Sequence, residues 1–169
     1  MGKLVENVRF RDRTWVFKDR DQAGRLLADG LEKYAGGEVV LFAIPAGGVP
    51  VAAPIAGRLG VPLELVLVRK IQLPWTTEAG FGALNPDGEA VFNQDLLRRW
   101  PLTPEEIETQ VRKGAAVLRE REALLRGGKP YPELAGRPAI VVDDGLASGY
   151  TMRVAVKFLR GRGAGKAIV

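Results

Sequence analysis

Two adjacent carboxylates and the loop after them are the part of this sequence with the clearest chemical potential. Asp143 and Asp144 directly follow an apolar run, and small and hydroxyl residues come next: Ala147, Ser148, Gly149, Tyr150 and Thr151. Carboxylates accept strong hydrogen bonds from vicinal hydroxyls such as those of a ribose. Backbone N–H groups at the start of a helix suit a phosphate dianion. The segment therefore predicts a site for a phosphorylated sugar.

These residue types also have simpler explanations. Two acids at the end of a strand can form a local turn or cap a helix, and Ser148 or Thr151 alone would be well explained as a helix cap. The sugar-phosphate interpretation depends on the whole segment occurring together.

A pair of glycines gives a second candidate anion site. Gly47 and Gly48 follow Ala46 between an apolar run and a helix-like segment. Glycines let backbone N–H groups approach an anion closely, although the same pair would also suit a plain strand-to-helix turn. Arg69 and Lys70 follow the next apolar run and supply two cations. A phosphate site, a ribose site and a pyrophosphate site together point to phosphoribosyl pyrophosphate (PRPP).

These residues need a scaffold that brings strand ends together. Residues 39–44 lack the alternation of a half-buried strand, as expected for a parallel strand covered on both sides. Residues 63–68 and 139–142 are further predicted strands, and segments with helical spacing lie between the strands. The chain is therefore predicted to form one α/β domain over residues 1–169, with a Rossmann-like, doubly wound and mostly parallel sheet. Ligands bind at the carboxyl ends of strands in such sheets, where all three candidate groups lie.

The N-terminal part is predicted to hold a hairpin and a helix. Apolar residues alternate over 8–17, and Asp19 with Gln22 indicates the start of a helix over about 20–34. Its predicted apolar face consists of Leu26, Leu27 and Leu31.

The middle of the chain is predicted to carry a lid. Residues 71–80 are polar and without period, and they include Thr76, Thr77 and Glu78. The turn sequence 85–88 then predicts a hairpin, so 71–92 forms a mobile loop and hairpin; a surface loop without a role is the alternative. A Thr-Pro-Glu-Glu start predicts an inserted helix over 103–126, which we expect to serve packing or dimer formation and not chemistry.

Composition excludes several kinds of site. The 169 residues include no cysteine and no histidine, which rules out disulfides, Cys or His nucleophile systems and Cys/His zinc sites. The net charge of +5 is spread among acidic neighbours, so no nucleic-acid partner is expected. The sequence shows no membrane-spanning apolar run and no signal-peptide core, and the expected location is the cytoplasm.

The acidic segment resembles a known motif. Val141 to Thr151 is similar to the PRPP-binding motif of type I phosphoribosyltransferases. Ile44 to Ala52 resembles the pyrophosphate loop of that family, and Val68-Arg69-Lys70 with Leu73-Pro74 resembles the start of its mobile loop, particularly in adenine phosphoribosyltransferases. Residues 17–126 also resemble a bacterial and archaeal group of predicted phosphoribosyltransferases.

This resemblance implies a fold and an activity. The fold would be that of type I phosphoribosyltransferases with little or no C-terminal hood. The reaction would transfer the 5-phosphoribosyl group from PRPP to a purine or another nucleobase, releasing pyrophosphate, as in nucleotide salvage. Mg²⁺ would arrive with PRPP and be held indirectly by Asp143 and Asp144, with Arg69 and Lys70 as further catalytic residues. A homodimer is also implied.

The sequence departs from the family at two positions. Ala46 stands where the predicted group usually carries Arg, so one pyrophosphate contact is either missing or supplied from elsewhere, such as a neighbouring subunit. Ala147 stands where hypoxanthine-guanine enzymes carry an acidic base. Two other functions stay open at this point. One is a regulator that senses PRPP without turnover, and the other is a hydrolase acting on a PRPP-like substrate.

Overall fold

The computed structural model describes residues 4–169, in which strands and helices alternate through most of the chain. The strands are β1 (Val40–Ala43), β2 (Leu63–Leu65), β3 (Arg69–Gln72), β4 (Gly80–Leu84), β5 (Ala90–Phe92), β6 (Pro138–Val142) and β7 (Lys166–Ile168). The α-helices are α1 (Arg20–Leu31), α2 (Gly48–Leu59), α3 (Gln94–Arg99), α4 (Pro104–Arg126) and α5 (Tyr150–Gly161). Within the described residues, no helix combines the length and apolar character needed to cross a membrane.

A parallel sheet forms the centre of the fold. Its strand order is β2-β1-β6-β7, and every neighbouring pair is parallel. The last residues of β1 and β6, Ala43 and Val142, are paired in register. The turn that follows β1 therefore lies beside the acidic loop that follows β6.

Helices cover both faces of this sheet, which confirms the predicted doubly wound α/β fold. Alternate residues of β1 belong to different core clusters. Phe42 packs in a cluster with Phe158 of α5, whereas Leu41 packs with Ala28 of α1 and Ile55 of α2. The alternation is hidden in the sequence because both faces of the strand are apolar.

A small antiparallel sheet of order β3-β4-β5 lies beyond the parallel one. The predicted hairpin is confirmed as β4 and β5, and α4 begins with the predicted capping box. Two boundaries were predicted wrongly. The strand after residue 62 stops at Leu65, so Arg69 and Lys70 begin β3 rather than end a parallel strand. Residues 71–80 are not one loop, because Ile71 and Gln72 belong to β3 and Gly80 begins β4.

The N-terminal hairpin predicted over 8–17 is also wrong. Val8–Phe10 is a 3-10 helix whose start is capped by the Asn7 side chain, which accepts a hydrogen bond from Arg9 N. Phe10 then packs edge-to-face on Phe17 with ring centroids 5.4 Å apart. A contact between two aromatic rings therefore replaces strand pairing in this segment.

Helix α1 forms as predicted, and Leu31 of its predicted apolar face packs against the core, but Leu26 and Leu27 do not. Asp19 caps it by accepting a hydrogen bond from Gln22 N. Leu26 and Leu27 are 42% and 49% exposed, while Gly24 and Ala28 are buried. A Cβ atom at Gly24 would lie 2.2 Å from Val51 O, so α1 and α2 approach too closely for larger side chains.

Candidate functional site

The turn between β1 and α2 is built for close backbone approach. Gly47 is the N-cap of α2, and Gly48 N donates to Ile44 O at 3.0 Å. A Cβ atom at Gly48 would lie 2.5 Å from Val142 O, so only glycine lets the turn touch the end of β6. Among the described residues, the N–H groups of Ala46 and Gly47 have no backbone acceptor. This leaves them available to an anion.

The two carboxylates after β6 have opposite environments. Asp143 is half-buried, and its burial, together with the neighbouring Asp144 charge, raises its pKa. Asp143 Oδ1 accepts a hydrogen bond from Asp144 N at 2.9 Å. Asp144 is exposed, and the guanidinium of Arg20 holds its pKa below the usual range. One acid is thus harder to ionise than usual and the other easier.

Arg20 is a site residue that the sequence reasoning missed. Its Nε and Nη2 lie 2.9 and 2.6 Å from Asp144 Oδ2. The two residues are 124 positions apart, so no local spacing links them. The only sequence signal was the cap at Asp19, which fixes the first turn of α1 and therefore the position of Arg20.

The loop predicted to bind a phosphate leads into α5. Gly149 is the N-cap in a left-handed conformation with φ 75°, and α5 has no side-chain cap. Ser148 and Thr151 therefore do not cap the helix, which was their simpler explanation. Ala147 and Ser148 are exposed, while Tyr150 and Thr151 are half-buried at the start of the helix. The first N–H groups of a helix lack internal acceptors and attract anions.

Arg69 and Lys70 have partners away from the glycine turn. Lys70 Nζ donates to Glu78 O at 2.5 Å, and the Arg69 side chain lies beside Gly114 of α4. Within residues 4–169, neither side chain donates a hydrogen bond to Gly47 or Gly48. In this structure the two side chains thus have other neighbours, and their role at the pyrophosphate site stays a prediction.

The predicted loop residues lie in the short connection between β3 and β4. Gln72 Nε2 donates to Thr77 O at 3.1 Å, and Glu78 N donates to Thr76 Oγ1 at 3.2 Å. The bonds from Gln72 to Thr77 O and from Lys70 to Glu78 O attach the connection to β3 in this structure.

A second missed residue comes from α4, the helix expected to have no chemistry. Arg121 is half-buried, and its Nη2 lies 3.5 Å from Pro45 O, next to the glycine turn.

A cleft of about 270 Å³ adjoins the other end of the site. It is lined by Tyr150 of α5 and by residues of α3 and its flanks: Asn93, Asp95, Leu96, Arg99 and Trp100.

This arrangement of a glycine turn, an acidic pair and a loop that leads into α5 coincides with a family match. The protein-family model described as "Phosphoribosyl transferase domain" matches residues 19–169 of the sequence. The chain belongs to the type I phosphoribosyltransferase family. The match spans the whole site described above, from the cap of α1 to β7.

Similar proteins support this assignment. Two proteins from strains of Mycobacterium tuberculosis, each named "Putative phosphoribosyl transferase", are 39% identical over 91% of this chain. The chain spans only 35% of their length. A crystal structure from Thermus thermophilus is 35% identical, with a TM-score of 0.70 over 89% of this chain and 72% of that one.

One more distant structure shows the same fold. A hypoxanthine phosphoribosyltransferase from Staphylococcus aureus is 13% identical, with a TM-score of 0.51 over 89% of this chain and 60% of that one. At this identity the likeness concerns the fold alone.

Proposed function

We propose that this phosphoribosyltransferase domain moves the 5-phosphoribosyl group from PRPP to a ring nitrogen of a purine or another nucleobase. The observation that carries the proposal is the pairing of Ala43 with Val142, which sets the glycine turn beside the acidic pair. The names of the Mycobacterium tuberculosis relatives support the reaction class.

Each part of PRPP has a proposed place. The 5′-phosphate binds at 147–151, where hydroxyls and free N–H groups begin α5. The ribose hydroxyls donate to Asp143 and Asp144. The pyrophosphate lies at the turn formed by Ala46, Gly47 and Gly48. The acceptor enters from the cleft beside Tyr150, whose 270 Å³ is near the lower end for small-molecule pockets.

The acidic pair fits a magnesium ion that comes with its substrate. Mg²⁺ prefers oxygen ligands and keeps several from water and phosphate groups, so few protein carboxylates are needed. Asp143 and Asp144 would hold it indirectly, through PRPP. When bound, the ion would neutralise charge on the departing pyrophosphate.

The reaction exchanges one bond at C1′ for another. The C1′–O bond to pyrophosphate breaks and its electron pair leaves with the pyrophosphate, while a nitrogen lone pair of the base forms the C1′–N bond. The proton of that nitrogen passes to solvent. Fixed N–H donors at the turn stabilise the departing charge because they need no reorganisation.

The lid and the two predicted cations complete the proposal. Arg69 and Lys70 remain predicted pyrophosphate contacts, which requires Lys70 to leave Glu78 O. Thr76, Thr77 and Glu78 would move with the connection that carries them and exclude water from the site. A homodimer, as the family resemblance implies, remains a prediction.

The test measures pyrophosphate release from PRPP and Mg²⁺ with a panel of purine and pyrimidine bases. Release that requires one base confirms the transferase. Release without any base identifies a hydrolase, and tight PRPP binding without release identifies a PRPP sensor. The variant Asp143→Asn with Asp144→Asn should abolish turnover while circular dichroism shows an intact fold; unchanged turnover would contradict the role of the acidic pair.

A further inference from the structure

In this structure the carboxylate of Asp144 occupies the turn at which pyrophosphate is proposed to bind. A Cβ atom added to Gly47 would lie 2.3 Å from Asp144 Cγ and from both of its carboxylate oxygens. The carboxylate thus fills the space that a side chain at position 47 would take. A carboxylate oxygen and a phosphate oxygen accept the same hydrogen bonds, so this group marks where an anion fits.

Arg20 supplies the positive charge at that point. Both its Nε and its Nη2 donate to the same oxygen, Asp144 Oδ2, at 2.9 and 2.6 Å. The turn itself offers no charged side chain, because it consists of Pro45, Ala46, Gly47 and Gly48. Among the residues whose contacts are described above, Arg20 therefore has the guanidinium closest to the Asp144 carboxylate at the glycine turn.

The ion pair is poorly suited to a role in stability. The Arg20 side chain is 59% exposed and that of Asp144 is 31% exposed. Exposed ion pairs contribute little to folding because water and salt screen them. Both groups remain accessible to a ligand that exchanges one partner for another.

We propose that Arg20 is a pyrophosphate-binding residue of the PRPP site and that the Asp144 carboxylate occupies the pyrophosphate position until the ligand binds. On binding, the Asp144 carboxylate leaves Gly47 and accepts the ribose hydroxyls. The guanidinium of Arg20 then donates its hydrogen bonds to the pyrophosphate instead. The exchange replaces one charge-assisted pair by another, so it costs little. This inference rests on the proposed function, because it assumes that PRPP is the ligand.

The exchange predicts that loss of Arg20 has different effects on ligands with a pyrophosphate group and on a ligand without one. Inorganic pyrophosphate and PRPP gain the Arg20 contact, so both need this side chain. Binding of ribose 5-phosphate requires Asp144 to leave Arg20, and this ligand carries no pyrophosphate that could replace Asp144 as the partner of Arg20. Removing Arg20 should therefore weaken the first two ligands and leave ribose 5-phosphate as tight as before or tighter. A residue that only positions Asp144 would show the reverse pattern, with ribose 5-phosphate weakened and pyrophosphate unaffected.

The experiment is calorimetric titration of the wild type and Arg20→Ala with PRPP, pyrophosphate and ribose 5-phosphate, all in Mg²⁺ buffer. We expect the Kd of PRPP and of pyrophosphate to rise about 10- to 100-fold, the range for a lost hydrogen bond to a charged group. Arg20→Lys should recover part of the affinity, since it keeps the charge but loses the two-pronged geometry.

The matched control is Arg25→Ala. Arg25 lies on the same helix, is equally accessible, and pairs locally with Asp21 at 2.7 Å. The Arg25→Ala variant should bind all three ligands with the affinity of the wild type. Equal PRPP affinity in Arg20→Ala and the wild type, or a loss confined to ribose 5-phosphate, would overturn the assignment of Arg20. A wild type that binds none of the ligands would overturn the proposed function and this inference together.

Discussion

Two arginines in this molecule show how differently a cation can be used. The side chain of Arg126, at the end of α4, is 3% exposed and donates to Glu64 and to the carbonyl oxygens of Leu65, Lys129 and Pro130. Its guanidinium carbon also lies 3.8 Å from the centroid of the Tyr131 ring. The side chain of Arg20 is 59% exposed and has one carboxylate as its partner.

The difference separates structural from functional charge. Arg126 is surrounded by fixed acceptors from several segments, so its donors are committed to holding those segments together. Only its Nε is buried without a hydrogen-bond partner. Arg20 meets a single group that can turn away. Burial with many fixed partners indicates a role in the fold, and exposure with one movable partner leaves a charge free for a ligand.

The largest expected effect comes from removing the buried cation. Arg126→Ala leaves the buried carbonyl oxygens and the Glu64 carboxylate without their donor and opens a cavity. We expect a loss of about 3–5 kcal/mol in the free energy of unfolding, measured by urea denaturation.

The control is Arg119→Ala, an exposed residue on the same helix. It should stay within about 0.5 kcal/mol of the wild type. Similar losses in both variants would mean that the network around Arg126 does not set the stability of this region.

A smaller effect separates the two neighbouring glycines of the turn. A Cβ atom at Gly48 would lie 2.5 Å from Val142 O, which is backbone and cannot easily move. Gly48→Ala should therefore cost about 1–3 kcal/mol of stability and also weaken PRPP binding. At Gly47 the three atoms nearest to the new atom all belong to the Asp144 side chain, and the φ of −64° suits alanine.

Gly47→Ala is accordingly expected to keep its stability within about 1 kcal/mol while PRPP binding weakens, because the methyl group takes the proposed pyrophosphate position. Thermal unfolding and PRPP titration of both variants provide the check. Equal destabilisation by the two substitutions would show that the turn cannot tolerate any side chain, whatever the neighbouring atom.

The smallest effect concerns the pH dependence of the acidic pair. Burial raises the pKa of Asp143 above its ordinary 3.8, so its ionised form opposes folding. Stability from this group is present below pH 3.8 and is lost as the pH rises through the raised value. Asp143→Asn should therefore be no less stable than the wild type at neutral pH, while PRPP turnover falls.

Asp144→Asn should act with the opposite sign. Arg20 lowers the pKa of Asp144, so its stabilising effect is present above 3.8 and is lost only as the pH falls through the lowered value. Unfolding curves collected from acid to neutral pH distinguish the two variants. A fall in the neutral-pH stability of Asp143→Asn would contradict the cause assigned to its pKa.

Local patterns in the sequence predicted the elements well. The apolar runs, the Asp19 and Thr103 caps and the turn at 85–88 all have short-range causes, and the elements they predict are present. The β1 and β6 ends were predicted to meet because parallel strands share an edge, and they do.

Predictions failed where a contact between distant segments decided the outcome. Leu26 and Leu27 were assigned to the core, but a close approach of α1 to α2 favours glycine and alanine there. Arg69 and Lys70 were expected at the end of a parallel strand, but they begin a separate antiparallel sheet. Arg20 was missed because its partner is 124 positions away, beyond any periodic pattern.

The pairing of β1 with β6 also determines when the site can form. These strands are neighbours in the sheet but are separated in the chain by β2, the antiparallel sheet and α4. Closing so long a loop costs entropy before any contact repays it, so such pairings form late in folding. During synthesis, the glycine turn leaves the ribosome long before Asp143 and Asp144 do. The newly made chain therefore has no assembled binding site until β6 has joined the sheet.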